Sequence, residues 1–207
     1  MNIIFSANNL SYNVSNKLII KNATFDIKKN IITIIKGSNG AGKTTLLKIL
    51  FGMLKPSSGE LQRKFDIEKY QLSYIFQNPV FLNRSVEDNL SHVLFCKDIV
   101  KTKWKNLILN TLKEFNLEYM LSLRVKSLSG GELQLLALIR GILIHPDILF
   151  YDEPTNNIDN DNITTIVKMI NKFHMNGSSI IIVSHDDVLV NILEHDEILI
   201  KEGVVFK

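Results

Sequence analysis

A glycine-rich segment that ends in lysine and threonine carries the clearest chemistry in this sequence. It reads Gly37-Ser38-Asn39-Gly40-Ala41-Gly42-Lys43-Thr44-Thr45. It fits the pattern G-x-x-x-x-G-K-[ST], in which glycines let backbone N–H groups converge on phosphate oxygens. A helix that starts at the lysine adds free N–H donors and the positive end of a dipole. We therefore expect Lys43 to reach the β- and γ-phosphates of a nucleotide and the Thr44 hydroxyl to hold Mg²⁺.

Two carboxylates directly follow an apolar run, Ile148–Tyr151. Such a pair is often only a solvated loop, but beside a phosphate loop the tip of a strand is where a Mg²⁺-organising carboxylate belongs. We expect Asp152 to bind the metal through its water shell, because Mg²⁺ gives up water reluctantly. Glu153 is predicted to face the γ-phosphate and to act as the general base on the attacking water.

Two further polar side chains stand at the ends of apolar runs. His185 comes soon after Ser179–Val183 and could contact a γ-phosphate and sense its presence. From the residues alone, a structural histidine is an equal alternative. Gln77 directly follows Leu72–Phe76 and could supply a neutral ligand to Mg²⁺ or to the water, with a turn glutamine as the alternative.

These residues need a scaffold that brings the ends of several strands together. Four runs are strand candidates because they are almost continuously apolar, as parallel strands covered on both faces are: Ile31–Ile35, Leu72–Phe76, Ile148–Tyr151 and Ser179–Val183. Helical patterns separate the runs, in the rhythm of βαβ units. The sequence therefore predicts an α/β fold with a mostly parallel sheet.

The rest of the chain departs from this rhythm. Leu18–Ile27 and Glu197–Phe206 are strand candidates with polar interruptions and predict an antiparallel layer at the edge of the main sheet. Between Asn78 and Leu128 the strand signal disappears and the pattern is helical, for example in Trp104–Phe115. This segment is predicted to be a helical subdomain inserted into the α/β core.

Length and composition indicate a single globular domain over residues 1–207, with 45% hydrophobic and 22% charged residues. We expect residues 78–128 to form the helical subdomain and residues 1–77 and 129–207 to form the core. The formal net charge of +3 is too small an excess to predict a nucleic-acid partner. A single cysteine, Cys96, excludes an internal disulfide framework. No apolar run reaches the roughly 18 residues of a membrane span, so we expect a cytoplasmic protein that needs a partner for any membrane role.

A second candidate anion site precedes another helical pattern, Glu132–Ile144. The segment reads Leu128-Ser129-Gly130-Gly131-Glu132-Leu133-Gln134. Ser-Gly-Gly at a helix start leaves bare N–H groups that suit an anion, and two anion sites in one chain suggest that two chains share a nucleotide. The segment resembles the signature of the ATP-binding cassettes of ABC transporters, usually Leu-Ser-Gly-Gly followed by Gln or Glu.

The resemblance covers nearly the whole chain, with all motifs in family order. It implies a P-loop NTPase core that binds and hydrolyses ATP with Mg²⁺. It also implies that two cassettes pack head to tail, and we expect them to be two copies of this chain, a homodimer. In that arrangement the signature residues Ser129, Gly130, Gly131 and Glu132 of one cassette would cover the γ-phosphate held by the phosphate loop of the other.

The resemblance implies roles for individual residues as well. Gln77 matches the glutamine of the Q-loop, and His185 matches the switch histidine. Thr155–Asp159 resembles the D-loop, with Asp159 at the contact between cassettes. Tyr12 resembles the aromatic residue that stacks on adenine, with an edge-strand tyrosine as the alternative.

The implied function is that of the ATP-hydrolysing subunit of a transporter, on the cytoplasmic face of the cell membrane. Its partners would be a separate transmembrane permease, a second cassette and a possible solute-binding protein. Gln77–Val86 resembles the corresponding region of tungstate and molybdate importers, which favours import. Within it, Asn78–Leu82 is expected to meet the permease, with internal packing as the alternative. Two alternative functions remain open: an iron–sulfur-assembly ATPase, and a cell-division or lipoprotein-releasing cassette.

Overall fold

The computed structural model describes residues 2–66, 68–155 and 160–207. The strands in these ranges are β1 (Ile3–Val14), β2 (Lys17–Lys28), β3 (Ile32–Gly37), β4 (Ser58–Arg63), β5 (Leu72–Ile75), β6 (Ile148–Asp152), β7 (Ser179–Val183), β8 (Asp196–Lys201) and β9 (Val204–Phe206). They form one sheet in the order β4-β1-β2-β9-β8-β3-β7-β6-β5.

Helices lie between the strands in the same ranges. They are α1 (Lys43–Phe51), α2 (Val86–Cys96), α3 (Trp104–Glu114), α4 (Gly130–Ile142), α5 (Asn160–Met175) and α6 (Asp187–Ile192). Among the helices described, none combines the length and the apolar character needed to cross a membrane.

The predicted α/β fold with a mostly parallel sheet is confirmed. Strands β5, β6, β7, β3 and β8 are parallel neighbours in that order. Every residue of β6 and β7 is buried, which explains their unbroken apolar runs, since helices cover both faces. The carboxyl ends of β3, β6 and β7 consequently meet at one edge of the sheet, where the predicted site residues follow them.

Successive side chains of each central strand point to opposite faces of the sheet. In β6, Leu149 and Tyr151 join the apolar cluster that contains α2 to α5. Ile148 and Phe150 join a second cluster, formed with α1 and the amino-terminal strands. This alternation decides which helix each polar residue at the end of β6 meets.

Two predictions about the outer strands were wrong in part. Glu197–Phe206 is two strands, because Glu202 and Gly203 both have positive φ, 49° and 83°, and make the tight turn of a hairpin. The first of them, β8, is parallel to β3 and belongs to the main sheet. The antiparallel layer is instead built from β1, β2 and β4, and the sequence patterns did not predict β1 or β4.

The segment predicted to be a helical insert contains α2 and α3. Buried residues of these helices, among them Leu90, Ile108 and Leu112, share their apolar cluster with Leu136 and Ile139 of α4. The insert thus packs directly on the helix that follows the signature. The division of the chain into core and subdomain stays a prediction.

Candidate active site

A cavity of about 500 Å³ opens where β3, β6 and β7 end. Its walls combine residues from segments that are far apart in the sequence: Ile19, Asn39, Gly40, Gly42, Lys43, Thr44, Thr45, Gln77, Glu153 and His185. The structure therefore brings the predicted phosphate loop, general base, histidine and glutamine to one place.

The phosphate loop is held in a shape that only glycine permits at two positions. Gly42 has a φ of 107° and is the residue before α1, and this left-handed conformation strains any residue with a Cβ. A Cβ on Gly37 would lie 2.3 Å from the carbonyl oxygen of Ile200 in β8. These glycines therefore allow the loop to pass close to β8 and to enter α1, of which Lys43 is the first residue.

Lys43 is almost fully buried, with 5% of its surface exposed. Its Nζ donates to the carbonyl oxygens of Gly37 at 2.9 Å and Ser38 at 3.1 Å. The backbone N–H of Ala41 donates to the same Ser38 carbonyl at 3.1 Å. These bonds keep the ammonium group at the centre of the loop, where phosphates would be bound.

Glu153 lies between two cationic or potentially cationic groups. It is 9% exposed, and its Oε1 is 3.7 Å from Lys43 Nζ. Its Oε2 is 2.9 Å from Nδ1 of His185, whose side chain is 55% exposed. Sequence reasoning placed all three residues near the γ-phosphate but missed this direct bridge.

The backbone of Glu153 is in an unusual conformation. Its φ is +50°, which is uncommon for a residue with a side chain and costs on the order of 1–3 kcal/mol. Its N–H donates to the Val183 carbonyl oxygen at 2.9 Å, so β7 holds the turn in place. The chain thereby bends immediately after Asp152, and the two carboxylates take different positions.

Asp152 faces α1 and is 2% exposed. Its Oδ1 accepts a hydrogen bond from Thr44 Oγ1 at 2.9 Å, and its Oδ2 accepts one from the Tyr74 hydroxyl at 3.3 Å. Burial raises the pKa of Asp152, while the bonds from Thr44 and Tyr74 act in the opposite direction. Burial and the neighbouring carboxylate raise the pKa of Tyr74, which therefore stays a hydrogen-bond donor.

The donor set around Asp152 fits Mg²⁺. The Thr44 hydroxyl and the Asp152 carboxylate touch each other, and Gln77 lines the same cavity as Thr44. These are oxygen ligands, which Mg²⁺ prefers, and Mg²⁺ sites in nucleotide-binding proteins are completed by water and substrate phosphates. The role of Tyr74 was missed, because its position in a strand signals packing and not a bond to Asp152.

Tyr12 is half-buried in β1, opposite Ile20 of β2, and packs against the second apolar cluster. The described residues that line the cavity include Ile19 of β2 and not Tyr12. The apolar wall seen beside the phosphate loop is therefore Ile19. The stacking role of Tyr12 stays a prediction.

The signature residues begin α4. Ser129 caps the helix: its Oγ accepts from the N–H of Glu132 at 3.2 Å, and Glu132 Oε2 accepts from the Ser129 N–H and hydroxyl, both at 2.9 Å. This reciprocal capping box fixes the first turn. Ser129 and Gly130 are exposed, whereas Gly131 is buried. Within the described ranges, the walls of the cavity are formed by other residues.

The structure describes the predicted D-loop only at Thr155. Thr155 is buried, with 8% of its surface exposed. Asn156–Asp159 lie outside the described residues, so the role of Asp159 stays a prediction.

The segment after Gln77 is both exposed and anchored. Val80 is 83% exposed and Leu82 is 39% exposed. Arg140 of α4 donates from NH1 to the Val80 carbonyl oxygen at 2.7 Å, and its guanidinium lies 4.5 Å from the centre of the Phe81 ring. Internal packing thus holds for Phe81, whereas Val80 and Leu82 face outward, and contact with a permease stays a prediction.

Comparison with known proteins covers most of the chain. A family model described as ABC transporter matches residues 20–156. The chain is 32% identical over 186 residues to the lipoprotein-releasing system ATP-binding protein LolD of Buchnera aphidicola, covering 83% of this chain and 82% of LolD. It is 33% identical over 189 residues to the tungstate uptake system ATP-binding protein TupC of Peptoclostridium acidaminophilum, covering 89% of this chain and 87% of TupC.

Solved structures agree with these sequence matches. The cbiO1 protein of Clostridium perfringens, part of the ABC transporter complex cbiONQ, superposes with a TM-score of 0.88 at 26% identity. The superposition covers 100% of this chain and 88% of cbiO1. The similarity extends over the whole described sheet and its helices, well beyond the phosphate loop.

Proposed function

This chain belongs to the ABC transporter family, and from that premise we propose that it pairs with a second cassette around ATP to drive a separate membrane permease. The permease imports a small solute or oxyanion, and the cassette acts on the cytoplasmic face of the cell membrane. Subunits of this family bind and hydrolyse ATP, and this chain is an ATP hydrolase of that type.

The buried Glu153 carboxylate is the observation that carries the mechanism. Lys43, held by its own loop, binds the β- and γ-phosphates, and Glu153 stands 3.7 Å from its ammonium group. A carboxylate at that distance from the phosphate-binding lysine can orient a water molecule and accept its proton as the water attacks the γ-phosphorus. The bond to the β-phosphate oxygen breaks, and ADP and phosphate are released.

His185 and the residues around Asp152 support this step. His185 Nδ1 donates to Glu153 Oε2, which fixes the orientation of the carboxylate. Thr44, Asp152 and Gln77 would hold Mg²⁺, which neutralises charge on the phosphates when bound. The N–H groups of the phosphate loop and of the start of α1 supply the remaining charge stabilisation.

The exposed start of α4 supports a shared nucleotide. Ser129 and Gly130 are exposed while the capping box keeps the turn in one shape. An exposed helix start can offer its free N–H groups to an anion, and the described cavity of the same chain is lined by other residues. A second copy can bring its own triphosphate to this surface.

Import is supported by the region after Gln77 and by the match to TupC. The exposed Val80 and Leu82 are apolar groups on a segment that Arg140 anchors, as a docking site for a permease requires. The match to LolD, 32% identical against 33% for TupC, favours a lipoprotein-releasing cassette as the second candidate.

Replacement of the general base tests the mechanism and the pairing together. Glu153→Gln should abolish steady-state hydrolysis, retain ATP binding, and accumulate an ATP-dependent dimer that size-exclusion chromatography detects. Glu60→Gln, an exposed change in the edge strand β4, is the matched control and should hydrolyse ATP normally. Normal turnover in Glu153→Gln would remove this residue from its role.

Affinity capture from detergent-solubilised membranes distinguishes the import hypothesis from the lipoprotein-release hypothesis. Recovery of a multi-span permease together with a solute-binding protein supports import. A permease of the lipoprotein-releasing type supports the second candidate. Recovery of soluble iron–sulfur-assembly proteins alone would contradict both.

A further inference from the structure

A chain of polar groups crosses the apolar core between β6 and α4. Tyr151 is fully buried, at 0% exposure, and its hydroxyl donates to Oε1 of Gln134 at 3.4 Å. Gln134, 8% exposed, donates from Nε2 to the backbone carbonyl oxygen of Gln77, also at 3.4 Å. A buried tyrosine hydroxyl normally finds a partner, and here its partner leads on to the proposed Mg²⁺-binding glutamine.

The hydrogen bonds from Tyr151 through Gln134 to Gln77, called the link below, start next to the carboxylates because of the position of Tyr151 in β6. Tyr151 directly precedes Asp152, and because neighbouring side chains point to opposite faces, it meets α4 while Asp152 meets Thr44 of α1. One rigid strand thus carries the metal-binding carboxylate on one face and the start of the link on the other. Gln134 connects that strand to the loop that holds Gln77.

Glutamine suits this position because its amide has an acceptor and a donor at fixed places. With Oε1 accepting from Tyr151, Nε2 has to point to the Gln77 carbonyl oxygen. The Gln77 carbonyl oxygen can only accept, so it excludes the reverse orientation, which would set Gln134 Oε1 against it, acceptor against acceptor. The hydroxyl of Tyr151 donates to the Oε1 that this leaves on the other side and so holds the amide in place.

The same helix holds the loop at a second point. Arg140 binds the Val80 carbonyl oxygen at 2.7 Å. A Cβ on Gly141 would lie 2.6 Å from Ile75 Cδ1, so α4 lies directly on the end of β5. Gln134, by contrast, joins the loop to β6, the strand that ends at Asp152.

We propose that Gln134 is a positioning residue for hydrolysis, held in place by the hydrogen bond from Tyr151, and that it sets the position of Gln77 relative to Asp152 and Glu153. The inference rests on the proposed roles of those residues. A displacement of about 1 Å in a catalytic site can lower a rate about a hundredfold. Loss of this link leaves the other loop contacts in place, so we expect a smaller effect, about tenfold in kcat.

Tyr151→Phe and Gln134→Met test the proposal in the full chain, by ATP hydrolysis and urea unfolding. Each should lower kcat about tenfold while the KM for ATP stays within about twofold, because Lys43 and its loop are untouched. The double variant should be no slower than Gln134→Met, since both changes break one link. Tyr70→Phe removes a hydroxyl from a ring that packs on Phe65 against the second apolar cluster, and as the control it should keep the unaltered kcat.

Two results would overturn the proposal. One is an unaltered kcat in both single variants at a temperature where they are folded, even if their unfolding midpoints fall, since the link would then serve stability alone. The other is a pair of losses that multiply in the double variant, since Tyr151 and Gln134 would then act separately. An active Glu153→Gln contradicts the proposed function itself, whereas an inactive Glu153→Gln beside a fully active Tyr151→Phe contradicts this inference only.

Discussion

The substitution Gly131→Ala adds one methyl group where the first turn of α4 meets α5. A Cβ there would lie 2.1 Å from Asn162 Nδ2, 2.5 Å from its Cγ and 3.1 Å from its Cβ. The amide end of Asn162 can rotate away, but its Cβ cannot, so the two helices must also move apart slightly. The second glycine of the signature is therefore required for packing, apart from any role towards phosphate.

Two opposing contributions set the size of the effect on stability. Overpacking typically costs about 1–3 kcal/mol. Alanine in place of glycine stabilises the interior of a helix by up to about 1 kcal/mol. The gain is smaller here because Gly131 lies in the first turn beside the Ser129 cap. We expect a net loss of about 1–2 kcal/mol in the free energy of unfolding. For a chain of this length, that corresponds to a fall in Tm of about 2–8 °C.

Urea unfolding of Gly131→Ala, Asn162→Ala and the double variant measures how much the clash between the added methyl group and Asn162 destabilises the fold. Asn162→Ala removes Nδ2 and Cγ, so the double variant should regain most of what Gly131→Ala loses. The single Asn162→Ala variant is the necessary reference, because Asn162 has interactions of its own. The two changes should depart from additivity by about 1 kcal/mol.

The packing argument is refuted if Gly131→Ala is as stable as the unaltered chain, or if Asn162→Ala leaves its cost unchanged. Hydrolysis assays then separate packing from nucleotide contact. If the bare backbone at Gly131 must also approach a phosphate on the second cassette, the double variant regains its stability but not its activity.

Two other changes have signs fixed by pKa shifts. Burial raises the pKa of Asp152, so its charge becomes costly in the folded state as pH rises from the ordinary aspartate range towards the folded pKa. The stability of Asp152→Asn relative to the unaltered chain, measured without Mg²⁺, should therefore improve over that rise, and a flat difference would contradict the shift. Ser85→Ala removes the capping box of α2 and should cost about 1 kcal/mol at pH 7. Because hydrogen bonds from Ser85 lower the pKa of Asp88, urea midpoints should show that cost shrinking as pH falls through the folded pKa of Asp88.

The central strands and the phosphate loop could be predicted because their signals are local. Ser179–Val183 is a strand with the predicted bounds, because a short unbroken apolar run between polar residues is typical of a buried strand. Lys43 begins a helix as predicted, because the glycines before it and the leucines after it define the start. The family resemblance, now confirmed, rested on short segments as well, above all on Leu128–Gln134.

Features that depend on distant residues were not predictable in this way. The edge strand β4 is almost wholly exposed, so it lacks the alternation that marks a half-buried strand. Tyr151 reads as one more apolar residue of β6, and its bond to Gln134 exists only because α4 packs on that face. The left-handed conformation of Glu153 has no signal, since glutamate is not a residue that favours it.

Strand β9 has a consequence for the order in which the protein assembles. Among the described strands, the amino-terminal layer pairs with the main sheet through β9, which is parallel to β2 on one side and antiparallel to β8 on the other. On the ribosome, residues 204–206 emerge after all other described strands, so β1 and β2 must wait for nearly the whole chain before the sheet becomes continuous. Such late pairing between distant segments slows folding and exposes an open strand edge in the meantime.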